Sequence, residues 1–490
     1  MLITLDRTNT QPLYQQIVQQ IQRRIQSGAL PAGAKLPTVR ELAQQLGVTR
    51  LTVHSAYSEL QAGGWVEATV GRGTFVADRP EPQATAAMLG QELSAHGIIN
   101  DMVRMAQLPG MRSLAMADAA PEFYSVREFQ RALDEALQSG AAALSYTTSQ
   151  GEPLPRTVLA ELLRERGMRV SSAELIITSG VTQGLSLISR TLARPGDMIV
   201  VEQPTYLGAL NVFGANGLRV VGVPVDEHGM VVDALEPILM AQQPRFIYTI
   251  PVFHNPTGAC LSAERRAALL ALSERYHVPI VEDDIYATLC YEGAPPPALQ
   301  ADDHHGLVLT VGSFSKSLLP GIRIGYVAAA PEYIHQLVAS KQADDLCSPP
   351  LLQRALALFI QHGRLATHMR RVLPQYRARR DAMLDAMARC FPSNLSWTVP
   401  RGGFSTWVTL PAGISTTDLY LAAIEQNVAF ALGDVFFAGP APYPAMRLSF
   451  SVQSPELIEE TVEVLGRLLS THLHRRVFAP SLVKDYVPLV

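Results

Sequence analysis

Leu13, Ile17, Ile21 and Ile25 recur every four positions between Pro12 and Ser27, separated by glutamines and arginines. That spacing predicts a helix with one apolar face. Thr38 and Glu41 form a Thr-x-x-Glu pair, the signature of a capped helix, here running through Leu46 and stopped by Gly47. Thr49 is placed to cap a third helix reaching about Gln61, with Gly63 and Gly64 behind it. Leu51, Val53, Ala56, Tyr57 and Leu60 are expected in its core face, and Arg50, Thr52, His54 and Ser55 outside. Trp65 to Val70 and Thr74 to Val76 read as two strands joined by the turn Gly71-Arg72-Gly73. Helices with a tight turn followed by a hairpin with a basic tip predict a winged helix-turn-helix over residues 1–77.

From Asp78 to Ala87 the chain is proline- and small-residue-rich without an apolar period, which predicts a flexible linker. Met88 to Met105 regains apolar content and is expected to dock on the following domain as a helix. Beyond residue 115 helical stretches alternate with β-rich runs: Leu175–Thr178, Met198–Val201, Phe246–Ile250, Val278–Val281 and Val308–Val311. That alternation predicts an α/β fold with a mostly parallel sheet and sites at the strand ends. The expected layout is one domain over 88–472: a large part at about 115–345, and a smaller α+β part at about 346–472 that includes the N-terminal segment. The tail 473–490 has no assigned role.

Composition narrows the class. At 490 residues, 48% hydrophobic and 17% charged, the chain is long enough for two or more folded domains. No apolar run reaches the ~18 residues of a membrane span, and the start lacks a signal-peptide pattern, so a cytoplasmic location is expected. Cys260, Cys290, Cys347 and Cys390 are widely spaced and read as reduced thiols. The net charge is −4, yet residues 1–77 hold seven basic against four acidic side chains, a net +3 that leaves −7 for the rest. A basic module on an acidic body points to a polyanion partner for that module. His304 and His305 follow Asp302 and Asp303, but no other ligand spacing accompanies them, so a solvated loop is expected and no metal.

The chemistry centres on Lys316, in Gly312-Ser313-Phe314-Ser315-Lys316-Ser317 with Arg323 seven residues on. A deprotonated lysine adds to carbonyls, and small donors beside a fixed cation suit a phosphate. Other candidates follow the predicted strands. Ser179-Gly180-Val181-Thr182 turns into a helix whose free amides can hold an anion. Tyr206 follows Glu202-Gln203-Pro204-Thr205, and Asn255 precedes Pro256. Glu282, Asp283 and Asp284 crowd three carboxylates together, just before Tyr286, and need a cation or donors nearby. One cofactor accounts for all of them, pyridoxal 5'-phosphate. Lys316 would hold its aldehyde and Asp283 its protonated ring nitrogen. Asn255 and Tyr286 would bond the ring hydroxyl, and Tyr206 would stack on the ring. Val181, Thr182, Ser313, Ser315 and Arg323 would hold the phosphate.

Leu36-Pro37-Thr38-Val39-Arg40-Glu41-Leu42-Ala43, Val48-Thr49-Arg50-Leu51-Thr52-Val53 and Gly71-Arg72-Gly73-Thr74-Phe75-Val76 closely resemble the DNA-binding domain of the GntR family of bacterial regulators, over about residues 10–77. The resemblance implies double-stranded DNA as partner, with Arg40 and Arg50 contacting it. It further implies Thr38 and Thr52 on phosphates, Thr49 and His54 in the same surface, and Arg72 near the minor groove. His54 and Ser55 stand where many relatives carry basic residues.

Residues ~115–470 resemble fold-type I aminotransferases in motif order. That implies a domain-swapped homodimer in which Tyr146 reaches the phosphate site of the partner subunit. It also implies that Arg447, with Asn255, binds a ligand carboxylate. Gly402 and Gly403, before Phe404, look like a close backbone approach in the domain that carries Arg447. Together the two halves are similar to the MocR subfamily of bacterial transcription regulators. The expectation is a regulator sensing pyridoxal phosphate or an amino-acid-like ligand. A working 2-amino acid aminotransferase with an appended DNA-binding domain stays open beside it.

Overall fold

The computed structural model describes residues 13–26, 30, 33–62, 65–69, 73–76 and 110–477. The expected linker 78–87, the helix at 88–105, the turn at Arg72 and residues 478–490 lie outside them. The chain divides into two compact units, residues 1–93 and 94–490.

In the first unit, α1 (Leu13–Gln26), α2 (Val39–Leu46) and α3 (Arg50–Ala62) precede an antiparallel hairpin, β1 (Val66–Thr69) and β2 (Gly73–Val76). Ile17, Ile21, Leu42, Val53, Ala56, Leu60, Val66 and Val76 form its core. Both halves of the capping box are present: Thr38 Oγ1 accepts from Glu41 N at 3.2 Å, and Glu41 Oε2 accepts from Thr38 N at 2.9 Å. Gly47 ends α2 in the left-handed region, with φ 62°. Thr49 Oγ1 accepts from Thr52 N at 3.2 Å at the start of α3.

Leu51 departs from its expected core position and is 74% exposed. Helical geometry gives the reason. Val53, Ala56, Tyr57 and Leu60 follow the i, i+3, i+4, i+7 stripe, and Leu51, two residues before Val53, projects about 200° away from it.

The second unit is built on an eight-stranded sheet. After a short strand β3 (Arg112–Ser113), its members are β4 (Leu175–Thr178), β5 (Met198–Gln203), β6 (Arg219–Asp226), β7 (Gly229–Met230), β8 (Ile247–Thr249), β9 (Ile280–Asp283), β10 (Val308–Ser313) and β11 (Gly325–Ala328). Their order is β4-β11-β10-β9-β8-β5-β6-β7. The run β10-β9-β8-β5-β6 is parallel, while β11 is antiparallel to both its neighbours and β7 to β6. Every residue of β4, β9 and β10 is buried, as expected for strands covered on both faces by helices.

β6, β7 and β11 were absent from the strands the sequence predicts. β6 is mostly half-exposed and carries Pro224, β11 opens on a glycine, and β7 has two residues. β6 and β7 offer no long buried apolar run, whereas β11 is fully buried and escaped the sequence reading despite Tyr326, Val327 and Ala328. β5, β9 and β10 also extend past their predicted ends, so Glu202, Asp283 and Ser313 are strand residues.

A second, antiparallel sheet has the order β12 (Ser396–Trp397), β13 (Ser405–Thr409), β16 (Ala445–Ser449), β15 (Ala431–Leu432). β14 (Val428–Ala429) pairs in parallel with β3, so residues 112–113 join this C-terminal part. Gly402 marks the close approach expected of it: a Cβ there would lie 2.4 Å from Leu289 O and from the Phe253 ring. No described helix is long and apolar enough to cross a membrane.

Candidate functional site

A cavity of about 520 Å³, mouth included, opens at the strand ends. Val181, Thr182, Tyr206, Asn255, Asp283, Tyr286, Ser313, Ser315, Lys316 and Arg323 line it, so ten sequence-selected residues converge there from strand ends, loops and a helix start.

One end is built for an anion. Ser313 Oγ and Ser315 Oγ lie 2.9 Å apart, and both residues are buried. Arg323 Nη2 donates to Ser179 O at 2.9 Å, which holds the guanidinium at the start of the helix Val181–Leu192. Gly180 makes room for it: a Cβ at that position would sit 2.8 Å from Arg323 Nη2. Two hydroxyls, a guanidinium and a helix start together match a phosphate.

The other end is built for a cation. Asp283 accepts from Tyr248 Oη at 3.0 Å and from Ile285 N at 3.2 Å. Burial nevertheless pushes its carboxyl up to about 7, the two hydrogen bonds only partly opposing it. A protonated ring nitrogen would supply the missing countercharge. Its two neighbours are satisfied elsewhere. Asp284 is gripped by Arg166, with Nη2 to Oδ1 at 2.8 Å and Nε to Oδ2 at 3.2 Å. Glu282 accepts from Leu299 N at 2.6 Å and Thr310 Oγ1 at 2.9 Å, and burial shifts its carboxyl upward. Of the three crowded carboxylates, Asp284 therefore has its cation, Arg166. It escaped the sequence reading because it comes from the turn after the helix Pro153–Arg164, 118 positions away.

Tyr206 lies over Gly208, where a Cβ would meet its ring at 2.3 Å. Tyr286 packs edge-on against Phe404, with ring centroids 5.9 Å apart. Lys316 Nζ donates to Asp118 Oδ1 at 2.7 Å. The sequence reading missed Asp118, although a lone carboxylate inside Ala117-Asp118-Ala119-Ala120-Pro121 is a signal. Arg447 is buried and reaches Asn255 and the Ala115 carbonyl. Tyr146 is 85% exposed and does not line this chain's cavity. The anion end, the lysine and the cation-seeking carboxylate fit a pyridoxal phosphate in donor chemistry and in order.

In the first unit Thr38, Arg40, Thr49, Arg50 and His54 are exposed and Thr52 is half-buried. Leu51 and Ser55 lie on the side of α3 opposite its buried stripe, and Arg50 and His54 are exposed nearer its edge. Arg72 lies outside the described residues.

Residues 115–465 match the family "Aminotransferase class I and II", and residues 13–76 match "Bacterial regulatory proteins, gntR family". An uncharacterized HTH-type transcriptional regulator of Bacillus subtilis, YdfD, is 32% identical over 94% of this chain and 96% of its own length. The probable rhizopine catabolism regulatory protein MocR of Rhizobium meliloti is 30% identical over 95% of each chain. Among solved structures, a multiple substrate aminotransferase from Thermococcus profundus superposes with a TM-score of 0.74. It is 35% identical over 80% of this chain and 98% of that one.

Proposed function

Since the chain belongs to the class I and II aminotransferase family and is a GntR-type regulator fused to an aminotransferase-like domain, as MocR-type regulators are, we propose that it is a DNA-binding switch set by the occupancy of its Lys316 cavity. The cofactor of the second unit is pyridoxal 5'-phosphate. The observation that carries the reading is the coexistence, on one chain, of a gntR-family module and a complete set of cofactor groups around one cavity.

When bound, the cofactor supplies an aldehyde for amines and a ring that withdraws electrons from the carbon attached to them. Lys316 would take the aldehyde carbon. Asp283 would hold the ring nitrogen, and Asn255 and Tyr286 the ring hydroxyl. Tyr206 would cover one ring face. Ser313, Ser315, Arg323 and the amides of Val181 and Thr182 would grip the phosphate. Arg447, positioned by Asn255, would orient an amino-acid-like ligand through its carboxylate. In a domain-swapped homodimer the exposed Tyr146 would reach the partner subunit's phosphate site, and two first units would read two half-sites of one operator.

On the DNA side, α3 would enter the major groove with Arg50 and His54, and Arg40 would add a further contact. Thr38, Thr49 and Thr52 would bond phosphates, and Arg72 would reach the minor groove. A second reading, turnover of a 2-amino acid to its 2-oxo acid, is favoured by the intact Lys316 and Arg447. A cytoplasmic location fits both readings.

The test is a gel-shift and footprint titration at fixed salt, on an operator that the protein itself selects from random-sequence duplexes. Loaded and cofactor-free protein, with and without amino acids, should differ in affinity or footprint. Identical behaviour in every form, together with fast transamination, would leave the enzyme reading standing alone.

A further inference from the structure

Asp118 belongs to neither end of the cavity, yet it makes the closest contact with the residue at its centre. It lies on the segment between β3 and the helix Val126–Leu137, flanked by the buried Ala117 and Ala119. Its carboxylate is 2.7 Å from Lys316 Nζ, with side-chain exposures of 43% for the aspartate and 20% for the lysine. The Lys316 charge, and more weakly that of Arg447, holds the Asp118 carboxyl below the usual aspartate range. Asp118 is therefore an anion within hydrogen-bond distance of the lysine nitrogen.

A free lysine amine would arise whenever an amino-acid ligand took over the aldehyde carbon of the bound cofactor. In that exchange one carbon–nitrogen double bond passes from the lysine nitrogen to the ligand nitrogen. The three protons of the incoming ammonium finish on Lys316, and charge is conserved. We propose that Asp118 is a positioning residue that captures the released Lys316 ammonium, so that the site holds its amino-acid ligand in preference to converting it.

Two consequences follow from the geometry. Pairing with Asp118 stabilises the released lysine and so favours ligand occupancy. An ammonium donating to a carboxylate also has no lone pair to accept the ligand's Cα proton, so conversion to the oxo acid is slowed. A ligand that stays bound is what a sensor requires. The inference therefore rests on the sensing function proposed above.

The experiment uses the full-length, cofactor-loaded protein, its Asp118→Asn variant and its Asp118→Glu variant, with cofactor absorbance as the loading control in each. Affinity is read by absorbance titration with an α-methyl amino acid, which has no Cα proton and cannot be converted. Conversion is read separately, in a single turnover with the matching ordinary amino acid. Asp118→Asn should bind the α-methyl probe roughly five- to tenfold more weakly, the pair being only partly buried, and should convert the ordinary amino acid faster. Asp118→Glu should return both values toward wild type, which a purely structural role for Asp118 would not produce.

Unchanged probe affinity in Asp118→Asn, or slower conversion, overturns the proposal. So does a wild type that binds no amino acid. The regulator reading fails separately: if operator affinity ignores cavity occupancy while the Asp118→Asn shifts appear as described, that reading falls and the role of Asp118 stands.

Discussion

Arg447 Nη1 donates to Asn255 Oδ1 at 3.0 Å, joining the middle of β16 to the loop that follows β8. Arg447 Nη2 reaches the Ala115 carbonyl, the guanidinium lies 4.9 Å from the centre of the Phe436 ring, and Nε has no partner among the described residues. A buried guanidinium with two neutral acceptors, an idle N–H and no ion-paired carboxylate among the described residues is suited to receive one. On the proposed reading Asn255 would serve the cofactor and Arg447 the ligand, and their hydrogen bond links the two.

Arg447→Ala should therefore weaken amino-acid binding by roughly 2–5 kcal/mol while leaving cofactor absorbance intact, because it removes the guanidinium that would pair with the ligand carboxylate. The check is a titration of each protein with an amino acid and with the corresponding amine lacking the carboxylate. Only the amino acid should lose affinity. Equal binding of the two compounds to the wild type would mean that Arg447 has been given the wrong partner.

Borohydride treatment of the loaded protein should leave a phosphopyridoxyl label on Lys316, located by peptide mass spectrometry. Lys316→Ala should lose the covalent label yet retain some noncovalent cofactor, since the groups at the anion end do not depend on the lysine. A label on any other lysine would contradict the assignment.

Asp283 gives the cofactor-free protein a pH dependence whose sign can be worked out. Its carboxyl is near 7 when folded against 3.8 ordinarily, because burial penalises the anion. Below about 4 both states are protonated and the residue contributes no slope. Between about 4 and 7 the unfolded chain ionises while the folded one keeps its proton. The unfolded state then binds fewer protons, and stability falls as pH rises. Above 7 the loss is complete. The melting temperature of the wild type relative to Asp283→Asn should decline across pH 4 to 7 and then level off. A difference that stays flat with pH would refute the buried-anion account, and cofactor addition should restore stability to the wild type above pH 7.

What the sequence made legible was local. The capping box at Thr38 and Glu41 is written within four residues, and the motifs around Lys316, Asn255 and Asp283 follow short buried strands, so each could be placed on its element. What escaped was long-range pairing. Arg166 reaches Asp284 from 118 positions away, Tyr248 reaches Asp283 from 35, and Asp118 reaches Lys316 from 198. No periodicity carries such information. Leu51 failed for a different reason: hydrophobicity alone suggested burial, whereas its angular position on α3 puts it outside.

That exposed leucine distinguishes a surface made for folding from one made for recognition. Val53 is fully buried in the core of the first unit, so Val53→Ala should cost roughly 1–3 kcal/mol of stability in that unit. Leu51→Ala removes an exposed side chain and should change stability by no more than about 0.5 kcal/mol. On the operator the order should reverse. Leu51 is exposed on α3, as are Arg50 and His54 nearer the edge of its buried stripe. An apolar contact with a thymine methyl is the readout such a residue can make in the major groove. Leu51→Ala and Arg50→Ala should each lose roughly 1–3 kcal/mol on the selected operator and relax preference at particular base pairs. Arg72→Ala and Thr38→Ala should instead lower affinity evenly across sequences, as phosphate and groove-width contacts do. Affinity and base preference measured at one salt concentration, beside thermal melts of the same variants, separate these outcomes. A Leu51→Ala protein that melts like wild type and binds DNA like wild type would remove α3's exposed face from the recognition surface.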